Sequence, residues 1–189
     1  MSLHELIEVL GDYAGLGPGI VLSLALSFLT FVPVSRALAI SRLHGFLLVL
    51  SLGVILAATI TPSREALLFG AEGSGRCDLS RFGLLSWWEL GHIDDASLNI
   101  LLFVPFGIAL GLCPRSRARS TLVAAALITP IAIELIQLTA VSLGRECQSS
   151  DVIDNLTGLL LGLLVGVIAR SVFVDRRAPK DGEADESPA

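Results

Sequence analysis

The sequence predicts an all-α membrane protein, a polytopic bundle of about five transmembrane helices with the N-terminus outside and the C-terminus in the cytoplasm. Three observations lead there. Of the 189 residues 53% are apolar and only 16% charged, whereas soluble domains are nearer a quarter charged. A chain so poor in charge cannot cover a globule of its size with polar surface. The apolar residues gather into five stretches that approach the ~20 residues of helix needed to cross the hydrocarbon layer. Arginine and lysine concentrate in alternate connections, as the positive-inside bias requires. The length accommodates one helical domain, residues 1–177, and no second.

Taken in order, the opening residues carry Glu5, Glu8 and Asp12 and no basic n-region, unlike a cleavable signal peptide. Leu3, Leu6, Ile7 and Leu10 recur at helical spacing, which predicts a short helix on the membrane surface. Spans follow at about 18–34, 43–60, 96–113, 120–143 and 152–174. Pro33 and Pro130 fall inside or near the ends of two of them, which membrane helices tolerate. The last span repeats glycine at spacing four, Gly158, Gly162 and Gly166, a smooth face suited to close packing.

Orientation follows from the short connections. Arg36 and Arg42 separate spans one and two, Arg115, Arg117 and Arg119 separate three and four, and Arg170, Arg176, Arg177 and Lys180 follow or end span five. On the opposite side Arg64, Arg76, Arg81 and Arg145 are diluted by Glu65, Glu72, Asp78, Glu89, Asp94 and Asp95. The long connection 61–95 is then extracytoplasmic. Its amphipathic run RFGLLSWWEL, with Trp87 and Trp88, suits either a lid or a helix lying in the interface. Residues 178–189, APKDGEADESPA, have no apolar pattern and read as a disordered acidic tail.

Span four contains ITPIAIELIQLTA, an apolar run broken by Glu134 and Gln137. An ionisable group inside a membrane helix is expensive, so it faces a protein interior or a watery cavity. At 1.5 Å per residue Glu134 should lie ~21 Å above Ser120 and ~14 Å below Leu143, in the outer half of the membrane. Gln137 shares its face. Spans three and five begin on that same side with DDASLN and DVIDN. Both contain Asp-x-x-x-Asn, Asp95 with Asn99 and Asp151 with Asn155, and Asp154 lies between the latter two. Antiparallel neighbours joined by short loops should pack side by side. The three spans are therefore expected to bring Asp95, Asn99, Glu134, Gln137, Asp151, Asp154 and Asn155 to one outer region, with Arg145 as the cation for the acids.

Structural readings compete with this one. Asp95 and Asp151 also suit helix N-termini, where anions are favoured. Glu134 and Gln137 also suit a plain helix–helix hydrogen bond, and His92 beside Asp94 reads as incidental. Cys77 and Cys147 fall in outer loops, where a disulfide persists, and either pair there or stand as separate thiols; Cys113 falls at the cytoplasmic end of span three. Neither Cys-x-x-Cys nor His-x-x-x-His spacing occurs, so no structural zinc site and no metal ligand is assigned.

The same residues carry a family resemblance. HIDDASLNILLFVPFGIALGL, then IELIQ, then GRECQSSDVIDNLTGLLLG, resemble the VanZ-like family of bacterial membrane proteins, named for a teicoplanin-resistance protein. That family's Asp followed by Asn-x-x-x-Phe-x-Pro-x-Gly is matched by Asp95, Asn99, Phe103, Pro105 and Gly107. Its Glu-x-x-Gln is matched by Glu134 and Gln137, and its Gly-Arg with Asp-x-x-x-Asn-x-x-Gly by Gly144, Arg145, Asp151, Asn155 and Gly158. Cys147 and Gln148 depart from it, standing where the family often has small or acidic residues. The resemblance covers roughly 51–173, while spans one and two match only in hydrophobicity. It implies a cell-envelope role in the bacterial plasma membrane and, for the namesake, reduced sensitivity to a lipoglycopeptide antibiotic. It supplies no mechanism.

Three functions of different class fit these residues. The first is a site for an envelope lipid, a lipid-linked glycan or a lipoglycopeptide in the outer leaflet. The second is a membrane enzyme using the carboxylates for acid–base or metal-assisted work. Against it stands the absence of Gly-x-Ser-x-Gly and His-Glu-x-x-His motifs. The third is a proton-coupled transporter with Glu134 as carrier, for which the inner half of the spans offers no charged residue. No cofactor and no nucleic acid is expected. The expected partners are membrane lipids or lipid-linked cell-wall components.

Overall fold

Each of the five expected spans is a helix in the computed structural model of the chain, which describes residues 16–81 and 95–173. In chain order they are α1 (Leu16–Leu38), α2 (Arg42–Thr59), the short α3 (Arg64–Phe69), α4 (Asp95–Leu112), α5 (Arg117–Thr139) and α6 (Ser149–Phe173). Two dipeptides, β1 (Cys77–Asp78) and β2 (Cys147–Gln148), pair in parallel outside the bundle. Among the described residues, α1, α2, α5 and α6 are long and apolar enough to cross a membrane. The apolar part of α4, Ala96–Leu112, is shorter; at 1.5 Å per residue it is ~26 Å, close to the ~30 Å of hydrocarbon. The expected surface helix at Leu3 to Leu10, the segment with Trp87, Trp88, His92 and Asp94, and the acidic tail lie outside the described residues.

Helix boundaries follow local chemistry. Ser41, Ser63 and Ser116 cap α2, α3 and α5, each accepting from the backbone N–H three residues on at 3.1–3.2 Å. α3 stops at Gly70, whose φ of 66° is the left-handed conformation of a glycine C-cap. Span five begins at Ser149 and span four at Arg117, each three residues before the sequence placed them. Span four also ends early, at Thr139, because Ala140 leaves the helix and a 3₁₀ turn, Val141–Leu143, follows.

Small residues decide which helices touch. α1 packs on α2 through buried Ser23 against Gly53 and Ser35 against Gly45. α4 and α6 form the most extensive pair. A Cβ at Gly162 would strike the Val104 carbonyl, and one at Gly107 the Leu159 carbonyl. The glycine face of span five is thus a backbone-to-backbone seam with α4. This corrects the expectation that consecutive spans three and four lie side by side, because α5 meets α6 more than it meets α4. Close approach at the glycine seam outweighs adjacency in the chain. Phe103, Phe106, Leu110, Ile133, Leu159 and Ile55 fill the centre. Leu22, Phe28 and Leu29 on α1 and Leu161, Leu164 and Ile168 on α6 point outward, as side chains facing lipid must.

The two ends of the bundle differ. At one, α2 and α5 finish and α4 and α6 begin, roofed by β1 and β2, whose Cys77 and Cys147 are joined by a disulfide; this is the disulfide end. At the other, the arginine end, three side chains from three helices meet the last carbonyls of α4. His44 on α2 bonds the Ala109 oxygen through Nε2 at 2.7 Å, Arg119 on α5 gives Nε to Leu110 at 3.2 Å, and Arg170 on α6 gives Nη1 to Cys113 at 2.6 Å. Those carbonyls carry the negative end of the helix dipole, so cations suit them.

Candidate functional site

The early end of α5 changes the position of Glu134. From Glu134 to Thr139 is ~8 Å of helix, whereas the sequence put ~14 Å of helix between Glu134 and Leu143. The carboxylate therefore sits about a turn and a half below the end of its helix. It is 5% exposed and Gln137 7%, on the same buried face as Ala126, Pro130 and Ile133.

What meets Glu134 is backbone from the roof. The Gln148 N–H donates to Oε2 at 2.7 Å. Gln148 is held in place by the strand pair, in the register Cys77 to Cys147 and Asp78 to Gln148, and by a disulfide joining Cys77 and Cys147, with Cα atoms 4.5 Å apart. Asp151, half-buried in the first turn of α6, lies within electrostatic reach of the same carboxylate. Gln137 turns elsewhere: its Nε2 donates to the carbonyl of Thr59 at 2.9 Å. That carbonyl closes α2 and has no partner within its own helix. The other amide atom, Gln137 Oε1, is buried with no hydrogen-bond partner.

On α6, Asp154 and Asn155 are each 1% exposed. The Arg81 guanidinium pairs with the Asp154 carboxylate, and Ser149 Oγ donates to the Arg81 carbonyl at 2.8 Å. The segment after β1 is thus tied twice to the start of α6. Asn155 Oδ1 is buried with no hydrogen-bond partner. Consecutive residues of the roof serve the two acids: Gln148 holds Glu134, and Ser149 holds the arginine that neutralises Asp154.

The sequence-predicted residues fall out unevenly. Glu134, Gln137, Asp151, Asp154 and Asn155 all lie at the disulfide end. Asn99 is half-buried one turn above Phe103 on α4, and Asp95 opens α4 with its side chain outside the described residues. Arg145 lies at this end too, and its Nε donates to the Thr61 carbonyl at 3.2 Å. Arg81 pairs with Asp154, a partner that sequence reasoning missed. The two are 73 residues apart, and nothing in their spacing announces the pair. The carbonyls of Thr59, which ends α2, and of Thr61 just beyond it, read by Gln137 and Arg145, were missed as well. The general need of helix C-termini for donors was the available signal. Chemically, two buried amide oxygens of the site, Gln137 Oε1 and Asn155 Oδ1, remain open to a donor. Among the described residues no group of three His, Cys, Asp or Glu is placed to hold a metal ion.

A model of the VanZ/LLP1 family matches residues 20–170. The match takes in α1 and α2, beyond the stretch that carries the motifs. No curated protein and no solved structure matches the chain.

Proposed function

The chain belongs to the VanZ/LLP1 family, and from that premise we propose that the disulfide end of its bundle binds the headgroup of an envelope lipid or lipid-linked glycan. In this reading the chain sits in a bacterial plasma membrane with the disulfide end outward, N-terminus outside and C-terminus in the cytoplasm. Two features support that orientation. Arginines crowd the opposite end, and the Cys77–Cys147 bridge belongs in an oxidising compartment.

The observation that carries the proposal is the pair of buried amide oxygens, Gln137 Oε1 and Asn155 Oδ1, without hydrogen-bond partners. Each costs ~1–3 kcal/mol if left so, and native proteins rarely leave one without a reason. A ligand rich in donors, such as the hydroxyls of a glycan or the amine of a headgroup, supplies what they lack. Glu134 lies on the same helix face as Gln137 and adds a third acceptor. An acylated glycopeptide of the teicoplanin type also combines hydroxyls with an acyl chain, so competition at this surface gives a route to reduced sensitivity.

Capture of a photo-crosslinkable glycolipid by the full chain in lipid nanodiscs tests this. Glu134→Gln and Gln137→Leu should each lower capture about tenfold, the loss of ~1.4 kcal/mol, while each variant still unfolds in one cooperative transition. Equal capture by parent and both variants overturns the proposal.

A further inference from the structure

A groove of about 540 Å³ runs between α2 and α4, away from the polar site. Its walls are mainly Leu47, Leu50 and Val54 on one side and Leu101, Pro105 and Ile108 on the other, with Ser51 and His44 as the polar members. The walls extend on α2 from His44 to Val54 and on α4 from Leu101 to Leu112. Eleven and twelve residues of helix rise ~15–17 Å from first to last, about half of the ~30 Å hydrocarbon layer. The groove is therefore one leaflet deep, in the leaflet at the arginine end. Leu47 is 48% exposed and Leu101 60%, so the groove opens sideways to the bilayer. The His44 ring, bonded across to the Ala109 carbonyl, bridges its walls at the arginine end.

Charge at that end is one-sided. Arg42 precedes His44 by two residues and Arg115 follows Leu112 by three, both exposed. The connecting residues 36–44 and 112–121 contain no Asp or Glu. We infer that the groove holds one acyl chain of an anionic phospholipid from this leaflet, with its phosphate against Arg42 and Arg115. The tail alone gives no selectivity, since lipid is as apolar as the leucines that line the groove. Selection rests on the arginines, which bind phosphate through charge-assisted hydrogen bonds and favour anionic headgroups near the surface.

The test is native mass spectrometry of the full chain released from micelles containing phosphatidylglycerol and phosphatidylcholine in equal amounts. One phosphatidylglycerol should be retained in about tenfold preference. Arg42→Gln with Arg115→Gln should abolish the preference while a lipid is still retained. Leu101→Trp, which places bulk at an exposed wall position, should remove retention of both lipids; Leu47→Trp does the same from the opposite wall. An unchanged disulfide and melting profile establish that each variant is folded. Equal retention of the two lipids by the parent chain overturns the inference, as does parental retention in both tryptophan variants.

Discussion

The two ends of this bundle solve opposite electrostatic problems with different materials. At the disulfide end, acids are sunk into the protein and their partners arrive from outside the bundle: the Gln148 amide on Glu134 and Arg81 on Asp154. Both partners ride on short segments with little helical structure to hold them, and a covalent bridge between Cys77 and Cys147 ties those segments together. At the arginine end, the groups in need are carbonyls of α4, and their partners are side chains of neighbouring helices, His44, Arg119 and Arg170. Rigid helices position those donors, so no bridge is required. A buried acid needs a fixed partner, whereas a helix terminus near the surface accepts a replaceable one.

Breaking the bridge should give the largest effect. Cys77 and Cys147 are separated by 70 residues, and loss of a disulfide closing a loop of that size costs about 4 kcal/mol. Cys77→Ser with Cys147→Ser should lower the melting temperature in detergent more than any other change discussed here, and reductant should do the same to the parent. Cys113 is a free buried thiol, so Cys113→Ala should leave the response to reductant intact. A double variant that melts with the parent would show that the roof is held by its other contacts alone.

Next in size is the ion pair. Asp154 is 1% exposed but Arg81 36%, so removing the arginine costs about 2 kcal/mol, less than for a fully buried pair, because the Asp154 charge stays behind while solvent already screens its partner. Arg81→Leu should be destabilising by that order in thermal or chemical unfolding. Adding Asp154→Leu should recover at least half of the loss, since two apolar side chains leave no charge behind. If the double variant is as unstable as the single, or worse, Asp154 is not held through Arg81.

Why the helices were legible and parts of the site were not follows from what each depends on. Apolar runs near ~20 residues specify spans by composition alone, and α1, α2, α5 and α6 are helices of that kind. Glu134 and Gln137 stood out because a polar pair in such a run has to be accommodated by something. Their partners did not stand out. Arg81 meets Asp154, and Gln137 meets the Thr59 carbonyl, across 73 and 78 residues, contacts that exist only after the chain has packed. The depth of Glu134 was misjudged for a local reason: Val141 and Leu143 are as apolar as the span before them, and hydropathy does not register that the backbone turns at Ala140. The glycines at spacing four were visible as a packing face, but only the packed backbone identifies α4 as the helix it meets.

The smallest expected effect also separates the two ends most cleanly. Arg119 and Arg170 each donate to a carbonyl at the end of α4, and a cation at a helix C-terminus contributes about 1 kcal/mol. Arg170→Gln should lower stability by that order, as should Arg119→Gln. They reach different carbonyls, Cys113 and Leu110, so their losses should be close to additive. Salt then tells the ends apart. Screening shortens from ~10 Å at 0.1 M to ~3 Å at 1 M and acts on exposed charges far more than on buried ones. Raising salt should shrink the penalty of Arg170→Gln more than that of Arg81→Leu, because the charge left behind by the latter is Asp154, 1% exposed, although Arg81 itself is partly exposed. If both penalties shrink alike, Asp154 and Arg81 are as open to solvent as the arginine end, and the disulfide roof does not seal the acids beneath it.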